Sequence, residues 1–572
     1  MSPTQMKNMQ LPLLLGAALV LACCAQPPEE GPLRMEVRAL GSGSCTGNNA
    51  SPFGTMTSGL VRVTGIDPVK ETFGVLFENS FSVSGNQLSV PDVPQGNGHK
   101  VEFIGSGGGT TWYGSAPSVN VKAEGNAAVQ LLLTQVGVST QLPVVDPVTG
   151  SDLTSFSNVR FPAVAELGDG RVMISGGFES SSGTSLNAPS NKWFIVNPRT
   201  AELQTGTFDA SFEGRGAHVA AYLPGTGQVL IAGGASSLDV VGDGSFPISW
   251  SKAGGSGFKN AALFTPPPEG STEAGSWSFP ANDMRVARVF ARAVVTSDNL
   301  AIITGGGEWP LETDSDYQRT EVFDPETNEV NPQARFLNVA SFDSFAPRSG
   351  HTLTNIKTEN GLSYILVFGG TPSGTDASGT PRPVAELMRQ SSQQQDGVDG
   401  NFAEIRIQGD TPKYLYFHET TRLSGERFLV TGGVEHAVDK LPDVSGSHAY
   451  LLTYSDEGGQ APTVTVRDLS ADFPGGRVFH SALSADFNNV AILGGFGGGA
   501  AALDTNKVVF FDAESIAFQV PEDNGSFLAR AGQGALAMTS GSMIIVGGEP
   551  TLNDVGAACG HVEIYTPSFV TN

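Results

Sequence analysis

Pairs of basic side chains recur at regular intervals in the second part of this 572-residue chain. An arginine stands about 17 residues before most members of a series of double glycines, and a histidine follows several of these arginines three residues later. Guanidinium and imidazole groups gathered at one site could bind a carboxylate or a sugar acid, because both donate directed hydrogen bonds to anionic oxygens. The candidate binding residues of this pattern are Arg215, His218, Arg348, His351, His418, Arg477, His480 and Arg530.

The same residue types can instead serve the architecture alone. Arginine and histidine that recur in most units, whatever the loops contain, favour hydrogen bonds to carbonyl groups of neighbouring units over ligand binding. The four histidines belong to four different units and lack a His-x-His or cysteine-rich spacing, so we expect no metal site. We also assign no catalytic residue. Glu419 follows His418 directly, and side-chain alternation along a strand predicts that it points to the surface.

These basic residues would be positioned by seven short apolar runs, each ending in a double glycine. A run of mostly β-branched residues that stops at two glycines predicts a buried strand followed by backbone with positive φ. Another strand precedes each run after a short turn, and an apolar strand such as 321–325 follows it. The runs are 172–177, 229–234, 302–306, 366–370, 428–433, 491–495 and 544–548.

The repeated unit resembles the kelch repeat, in which an Arg-x-x-His segment, a strand, a turn and a strand ending in Gly-Gly precede an apolar strand with Asp-Pro. All seven units match the strand and its glycines. In this register Arg160 and Arg288 also occupy the arginine position, and Leu415 interrupts it. The resemblance implies an all-β fold with a seven-bladed kelch-type β-propeller over residues 138–572. Because the chain ends soon after its last apolar strand, we expect residues 138–145 to complete the last blade.

Long links follow the double glycines, whereas the links between first and second strands are short. All long links would therefore leave one face of the ring, and loops on a rigid scaffold commonly carry recognition. Trp250 and Trp309 lie in these links and are further candidate contacts. We expect a non-catalytic protein that recognises another protein or a glycan through this face.

The alternative is a carbohydrate-active enzyme, sialate mutarotase-like or oxidase-like, that works in the channel of the propeller. A copper centre like that of galactose oxidase needs a tyrosine crosslinked to a cysteine, a second tyrosine and two histidines. Cys559 is the only cysteine of the repeat region, and the tyrosines are scattered. We therefore expect no cofactor and no enzyme activity.

The beginning of the chain carries export signals. A weakly basic lead, the apolar run 11–21 and small residues before Cys23 predict a signal peptide over residues 1–22. The sequence around Cys23 resembles a bacterial lipobox, which implies lipidation of that cysteine and a location in the cell envelope, at the outer membrane. Cleavage near Ala25, which would release a soluble protein, is the alternative. A proline-bearing tether is expected over residues 23–33.

Residues 34–136 alternate apolar and polar side chains between turns, which predicts a small antiparallel β-sandwich. The order of segment 88–96, Trp112 and the following strand resembles a prealbumin-like module, which implies a spacer or interaction platform. Cys45 and Cys559 could pair in an oxidising compartment and tie this module to the last repeat. The formal charge of −25 argues against nucleic acid as a partner and limits membrane contact to the lipid anchor.

Overall fold

The structure is a computed structural model of the chain. It describes residues 30–39, 56–67, 72–83, 87–142, 159–179, 181–182, 185–240, 248–249, 257–307, 320–326, 333–337, 346–357, 363–371, 381–389, 402–435, 447–456, 462–484, 486–495, 508–520, 530–548 and 562–568. These residues form β-strands joined by turns, and the described part of the chain contains no α-helix. The prediction of an all-β protein is confirmed. None of the described segments is a helix that could span a membrane.

Forty-two strands organise the described residues. In chain order they are β1 (Glu30–Ala39), β2 (Ser58–Ile66), β3 (Phe73–Ser82), β4 (Gln87–Pro94), β5 (Gly96–Gly107), β6 (Thr110–Val121), β7 (Val129–Gln135), β8 (Ser139–Gln141), β9 (Ala163–Glu166), β10 (Val172–Ser175), β11 (Ser181–Ser182), β12 (Ser185–Leu186), β13 (Lys192–Val196), β14 (Leu203–Thr207), β15 (Val219–Leu223), β16 (Gln228–Ala232), β17 (Leu238–Val240), β18 (Ile248–Ser249), β19 (Ala261–Thr265), β20 (Ser276–Ser278), β21 (Arg292–Val295), β22 (Ala301–Thr304), β23 (Thr320–Asp324), β24 (Arg335–Leu337), β25 (Thr352–Lys357), β26 (Ser363–Phe368), β27 (Ala385–Arg389), β28 (Phe402–Glu404), β29 (Arg406–Gly409), β30 (Leu415–Tyr416), β31 (Glu419–Leu423), β32 (Arg427–Thr431), β33 (Val434–Glu435), β34 (Ala449–Ser455), β35 (Thr463–Asp468), β36 (Ser481–Leu483), β37 (Asn489–Leu493), β38 (Val509–Asp512), β39 (Ala517–Gln519), β40 (Gly534–Ala537), β41 (Met543–Val546) and β42 (Val562–Tyr565).

The first seven strands form one sheet in the order β3-β2-β5-β6-β7-β1-β4. Its pairs are antiparallel except that β1 and β7 run parallel. The sheet curls, so that side chains from both of its halves, such as Met35 and Val63, meet in one apolar core. The predicted two-sheet sandwich is replaced by a single curled sheet, because the parallel pairing of β1 with β7 joins its two halves. Its first strand begins at Glu30 rather than at residue 34.

Seven antiparallel four-stranded units, which we call blades, follow this sheet. In each blade the strand that ends in the double glycine is the second one, and most of its side chains are buried because a strand flanks it on either side. The inner strands β9, β15, β21, β25, β31, β36 and β40 contact one another in turn, and β40 returns to β9. The blades therefore form a closed, β-propeller-like ring. The fifth blade carries an additional outer strand, β29, parallel to β35.

The last blade takes its outer strand from the beginning of the ring. Strand β8 pairs antiparallel with β42, with Thr140 opposite Ile564. The Ser139 hydroxyl donates a hydrogen bond of 2.5 Å to the buried carboxylate of Glu563. Without β8, the outer edge of β42 would present unpaired backbone groups. The two ends of the ring are thus held together by strand pairing.

The ring has two different faces. The turn face carries the short turns between first and second strands, and the loop face carries the double glycines and the links that follow them. The N-terminal sheet rests on the turn face, where the hydroxyls of Tyr113 and Ser115 both donate to the carbonyl oxygen of Ser540 at 2.7 Å. Beside them, the Thr134 and Thr566 hydroxyls lie 2.7 Å apart. On the loop face, β11, β12, β17 and β18 form a small sheet from the links of the first two blades.

Candidate functional site

A residue in the left-handed backbone region precedes the inner strand of every blade. Its φ lies between 53° and 67° in all seven. This conformation costs a non-glycine residue about 1 kcal/mol, so the packing of the ring must impose it. It lets the backbone N–H bond across blades: Ala217 donates to the Phe161 carbonyl and Phe290 to the Ala217 carbonyl, both at 3.0 Å. The seven left-handed positions are Phe161, Ala217, Phe290, Gly350, Phe417, Phe479 and Gly532.

Four of these positions are phenylalanines, whose rings meet around the axis. Phe161 lies 5.2 Å from both Phe290 and Phe479, and Phe417 lies 4.7 Å from Phe479 between ring centroids. We call these four residues the aromatic plug. Apolar side chains from the loop face, including Leu238, belong to the same cluster. The plug therefore closes the central channel at its loop-face end.

A cavity of about 310 Å³ lies between the aromatic plug and the turn face. Its lining continues from the plug along the inner strands through small residues such as Ala220 and Ala293. Each inner strand is the edge strand of its blade, and the edges of six of them, all except β25, bring backbone N–H and C=O groups to this wall. The size is that of a site for a single small molecule.

Two charged side chains from different blades meet in this cavity. Arg292 of the third blade donates from Nη2 to Oε1 of Glu419 in the fifth blade at 2.9 Å. Its Nε donates to the carbonyl of His351 at 3.3 Å. The side chains are 43% and 26% exposed, so a ligand in the cavity can reach both.

The sequence pattern missed this pair. Glu419 was expected at the surface, but it lines the cavity because β31 is an inner strand whose first residue faces the channel. Arg292 lies one position beyond the expected basic site. Both residues stand two places after a left-handed phenylalanine, Phe290 and Phe417. Both also stand four residues after the repeated arginine position, at Arg288 and Leu415, but the repeat pattern drew attention only to residue types that recur.

The arginines of the repeated pattern lie inside the blades instead of facing the channel. Each donates from Nη1 to the carbonyl of the first glycine in its own blade, at 2.9 Å for Arg215, 2.6 Å for Arg288, 3.0 Å for Arg477 and 2.8 Å for Arg530. Arg348 makes the same bond to Gly369. All five side chains are buried. These guanidinium groups already hydrogen-bond to the glycine turns, so they do not point a binding group at a ligand in the cavity.

Three of these arginines also pair with a buried glutamate on the third strand. Arg288 contacts Glu321 at 3.0 Å and Arg348 contacts Glu386 at 3.0 Å. Arg530 pairs in the same way with Glu563 in the last blade. Arg215 has aromatic neighbours instead, with its guanidinium carbon 3.5 Å from the ring centroid of Phe212, and burial lowers the pKa of Arg215 to about 9. Burial likewise lowers the pKa of Arg477 to about 10.

The candidate histidines bond to the preceding blade. His218 Nε2 lies 2.8 Å from the Ser175 hydroxyl, and His480 Nε2 lies 2.9 Å from the Thr431 hydroxyl. His418 Nε2 lies 3.2 Å from the Thr352 hydroxyl. Burial and the neighbouring arginines lower the pKa of His218 and His480 to about 3, and burial lowers that of His418 to about 3. These imidazoles are therefore neutral near pH 7.

His351 occupies the same position in the fourth blade. Its side chain is fully buried, and neither ring nitrogen has a hydrogen-bond partner. Burial, followed by the charge of Arg348, lowers its pKa well below the usual range. The four histidines thus sit between blades, and only His218 and His480 also line the cavity.

The repeat register of the first blade differs from the expected one by one residue. The second glycine of each double glycine donates to a carbonyl of the next blade, as Gly177 does to Arg215 at 2.8 Å. In the closing bond Gly548 donates to Val159, also at 2.8 Å. Val159, and not Arg160, therefore occupies the arginine position of the first blade. Arg160 instead forms a β-bridge with Phe178.

Five further sequence candidates lie outside the described residues: Cys23, Cys45, Cys559, Trp250 and Trp309. Among the residues that the structure describes, no group of three or more His, Cys, Asp and Glu is arranged to hold a metal ion. The described residues that line the cavity include neither tyrosine nor cysteine, and their two imidazoles already bond to hydroxyl groups. This donor set does not fit a copper centre built from tyrosine, cysteine and histidine.

Comparisons with known proteins assign no family to this chain. No family model matches the chain, and a search of curated proteins finds no relative. The chain is similar to the solved structure of a fungal alcohol oxidase of the AA5 family in complex with copper. The TM-score is 0.47 at 16% identity, with 73% of this chain and 75% of that chain covered.

This comparison corrects the expectation that the protein is not an enzyme, since the structure it resembles is that of an oxidase. The likeness concerns an all-β fold, and the alcohol oxidase activity is a property of that protein. Recognition through the loop face has no support from the described residues, because most of the long links lie outside them.

Proposed function

We propose that the ring is a seven-bladed kelch-type β-propeller and that it works as a carbohydrate-active enzyme in its central cavity. The observation that carries this proposal is the Arg292–Glu419 pair, 2.9 Å apart and open to the cavity. The substrate class that fits is a monosaccharide acid. A cavity of about 310 Å³ has room for one such sugar, and its strand edges offer backbone groups to hydroxyls.

The pair suggests how a sugar acid would be handled. The carboxylate of the sugar would displace Glu419 from Arg292, because the guanidinium can bind either carboxylate in a bidentate manner. Glu419, released from its ion pair, would accept the proton of the anomeric hydroxyl while water protonates the ring oxygen as the bond between the anomeric carbon and the ring oxygen breaks. Reclosure on the other face, with the proton returned, would give the second anomer. The reaction class is mutarotation, which consumes no oxidant and needs no metal ligand from the cavity wall.

The test is to measure anomer exchange by NMR with a sialic acid and with glucuronate. We expect the Glu419→Gln variant to lose at least about a hundredfold in exchange rate while it still binds the sugar. Arg292→Gln should weaken binding by about tenfold or more.

The matched control is Arg62→Gln, which breaks an ion pair of 2.6 Å with Glu78 in the N-terminal sheet, away from the cavity. Exchange by this control should equal that of the natural chain. If the natural chain neither binds these acids nor exchanges their anomers, or if all three variants behave alike, the proposal fails.

We also propose that the protein is exported and anchored through a lipid on Cys23, with the N-terminal sheet as a prealbumin-like spacer between anchor and ring. The sequence before Glu30 supports this proposal. Labelled palmitate should be incorporated into the natural chain and not into Cys23→Ser. Labelling that persists in the variant would contradict lipidation at this residue.

A further inference from the structure

The N-terminal sheet presents an apolar patch at the tip of its β2–β3 hairpin. Ile66, Phe73 and Val75 are 63%, 74% and 58% exposed, and no other described large apolar side chains form such an exposed group. Ile66 lies directly opposite Phe73 in the register, and Val75 is two residues further along the same strand. All three therefore project from the same, outer face of the sheet.

Next to this patch, the outer face of the hairpin is polar. The burial pattern of β2 alternates, with Arg62 and Thr64 on the same face as Ile66. Arg62 pairs with Glu78 across the two strands at 2.6 Å. Among the described residues of this sheet, the strongly exposed large apolar side chains are thus confined to this end of the hairpin. Singly exposed apolar residues are common on soluble proteins, whereas a contiguous group on one hairpin indicates an interaction surface.

The tip lies at the end of the sheet where the chain enters. Glu30, the first residue of β1, pairs with Pro94 at the end of β4. The Pro94 carbonyl lies 3.2 Å from Nε2 of buried His99, and His99 packs against Gly65, next to Ile66. The contacts run continuously from the start of β1 to the hairpin tip.

The ring lies at the opposite end of the same sheet. Ser58, at the other end of β2, pairs with Ser106, close to the β6–β7 pair through which the sheet contacts the ring. The nine residues of β2 separate the two ends by roughly 26 Å, at about 3.3 Å per residue. The sheet therefore holds the ring away from whatever surface the hairpin tip meets.

From this placement we infer that the side chains of Ile66, Phe73 and Val75 insert into the surface of a lipid bilayer. The predicted lipidation site, Cys23, is only a few residues before Glu30, so the anchor and the tip would meet the same membrane. The formal charge of −25 makes attraction to anionic lipid unfavourable, and the surface that fits is one whose contact is apolar. This inference is independent of the enzymatic proposal.

The experiment uses the chain from Cys24 onward, which contains every described residue and lacks the apolar leader and the lipidation site. This protein should sediment together with phosphatidylcholine vesicles. The triple variant Ile66→Ser/Phe73→Ser/Val75→Thr should reduce the partition coefficient by about tenfold or more, because the side chains that enter the lipid are removed. In addition, the tryptophan emission of Phe73→Trp should shift to shorter wavelength when vesicles are added.

The matched control is Phe487→Ser, which removes a phenylalanine that is 54% exposed on the ring, and its partition should equal that of the parent. Thermal unfolding of both variants checks that they remain folded. Equal partition of parent and triple variant would overturn the inference. So would an emission shift that follows protein concentration without vesicles, because it would show that the tip binds a second copy of the chain.

Discussion

The two ends of the central channel are built from the same seven inner strands but differ in chemistry. At the loop-face end, the rings of the aromatic plug pack against one another, and the arginines behind them are buried and hydrogen-bonded within the blades. Toward the turn face, Arg292 and Glu419 form an ion pair that solvent can reach. Residue types that recur in most blades close the ring, whereas the site depends on two residues whose types occur in single blades. In this protein the repeated residues hold the ring together, and the two charged residues of the cavity are exceptions to the repeat.

The largest effect is expected from opening the plug. Phe417→Ala should lower the free energy of unfolding by about 3–5 kcal/mol, because it leaves a hole beside the rings of Phe290 and Phe479. Urea unfolding followed by fluorescence measures the change. Ala217→Gly occupies the equivalent left-handed position in the second blade and should change stability by less than about 1 kcal/mol. Similar losses in both variants would show that the plug has no special part in closure.

A comparable loss should follow when a buried ion pair is broken on one side. Glu386→Leu leaves the fully buried Arg348 without its carboxylate and should destabilise the protein by about 3–5 kcal/mol. The double variant Arg348→Leu/Glu386→Leu should recover most of this loss, because the fifth blade already has Leu415 at the arginine position. A double variant as unstable as the single one would indicate that the arginine is needed for its glycine-turn bond.

Low pH should lower the free energy of unfolding of the ring through its buried histidines. His218, His418 and His480 have pKa values of about 3 in the folded protein, against about 6.5 in the unfolded chain. The unfolded chain thus binds more protons between these values, so the free energy of unfolding falls as pH drops from 6.5 toward 3. Each histidine contributes up to about 1.4 kcal/mol per pH unit. Urea unfolding at pH 7 and pH 5 measures this slope.

The His480→Gln variant sharpens that measurement. Gln533 occupies the equivalent position in the last blade and donates to the Ser481 hydroxyl of the preceding blade at 3.1 Å. The substitution should therefore keep the contact between blades while it removes one titrating group. We expect the slope to decrease by up to about 1.4 kcal/mol per pH unit. An unchanged slope would mean that His480 does not contribute to acid unfolding.

The smallest effect on stability is expected in the cavity. Glu419→Gln breaks an ion pair that solvent partly screens, so the free energy of unfolding should change by less than about 1 kcal/mol. The same change at Glu386 removes a buried carboxylate and should cost several times more. Denaturant titration of the two variants side by side measures the ratio. Equal losses of stability in the two variants would show that the buried pair of Glu386 stabilises the ring no more than the pair of Glu419 in the cavity does.

The ring could largely be predicted from the sequence, because seven apolar runs ending in double glycines report directly on buried strands and positive φ. The pairing of β8 with β42 agrees with the expectation that residues 138–145 complete the last blade. The N-terminal sheet was predicted less well. Its parallel β1–β7 pair joins strands about ninety residues apart, and alternation along each strand says nothing about such pairing.

The site was the least predictable part. Arginines and histidines at fixed spacing suggested a ring of basic groups that bind a ligand. In the structure these side chains are buried. The arginines hydrogen-bond to turn carbonyls of their own blades, and histidines bond to hydroxyl groups of the preceding blades. Arg292 and Glu419 are 127 residues apart in sequence, and only ring closure brings their side chains together. A pattern that repeats cannot reveal a contact that occurs once.

The pairing of β8 with β42 has a consequence for biosynthesis. The strand that seals the last blade is made before the first blade, whereas its partner lies at residues 562–565 of the 572-residue chain. The ring cannot close until residues 562–565 have left the ribosome. Until that strand emerges, the nascent ring keeps an open seam between its last and first blades.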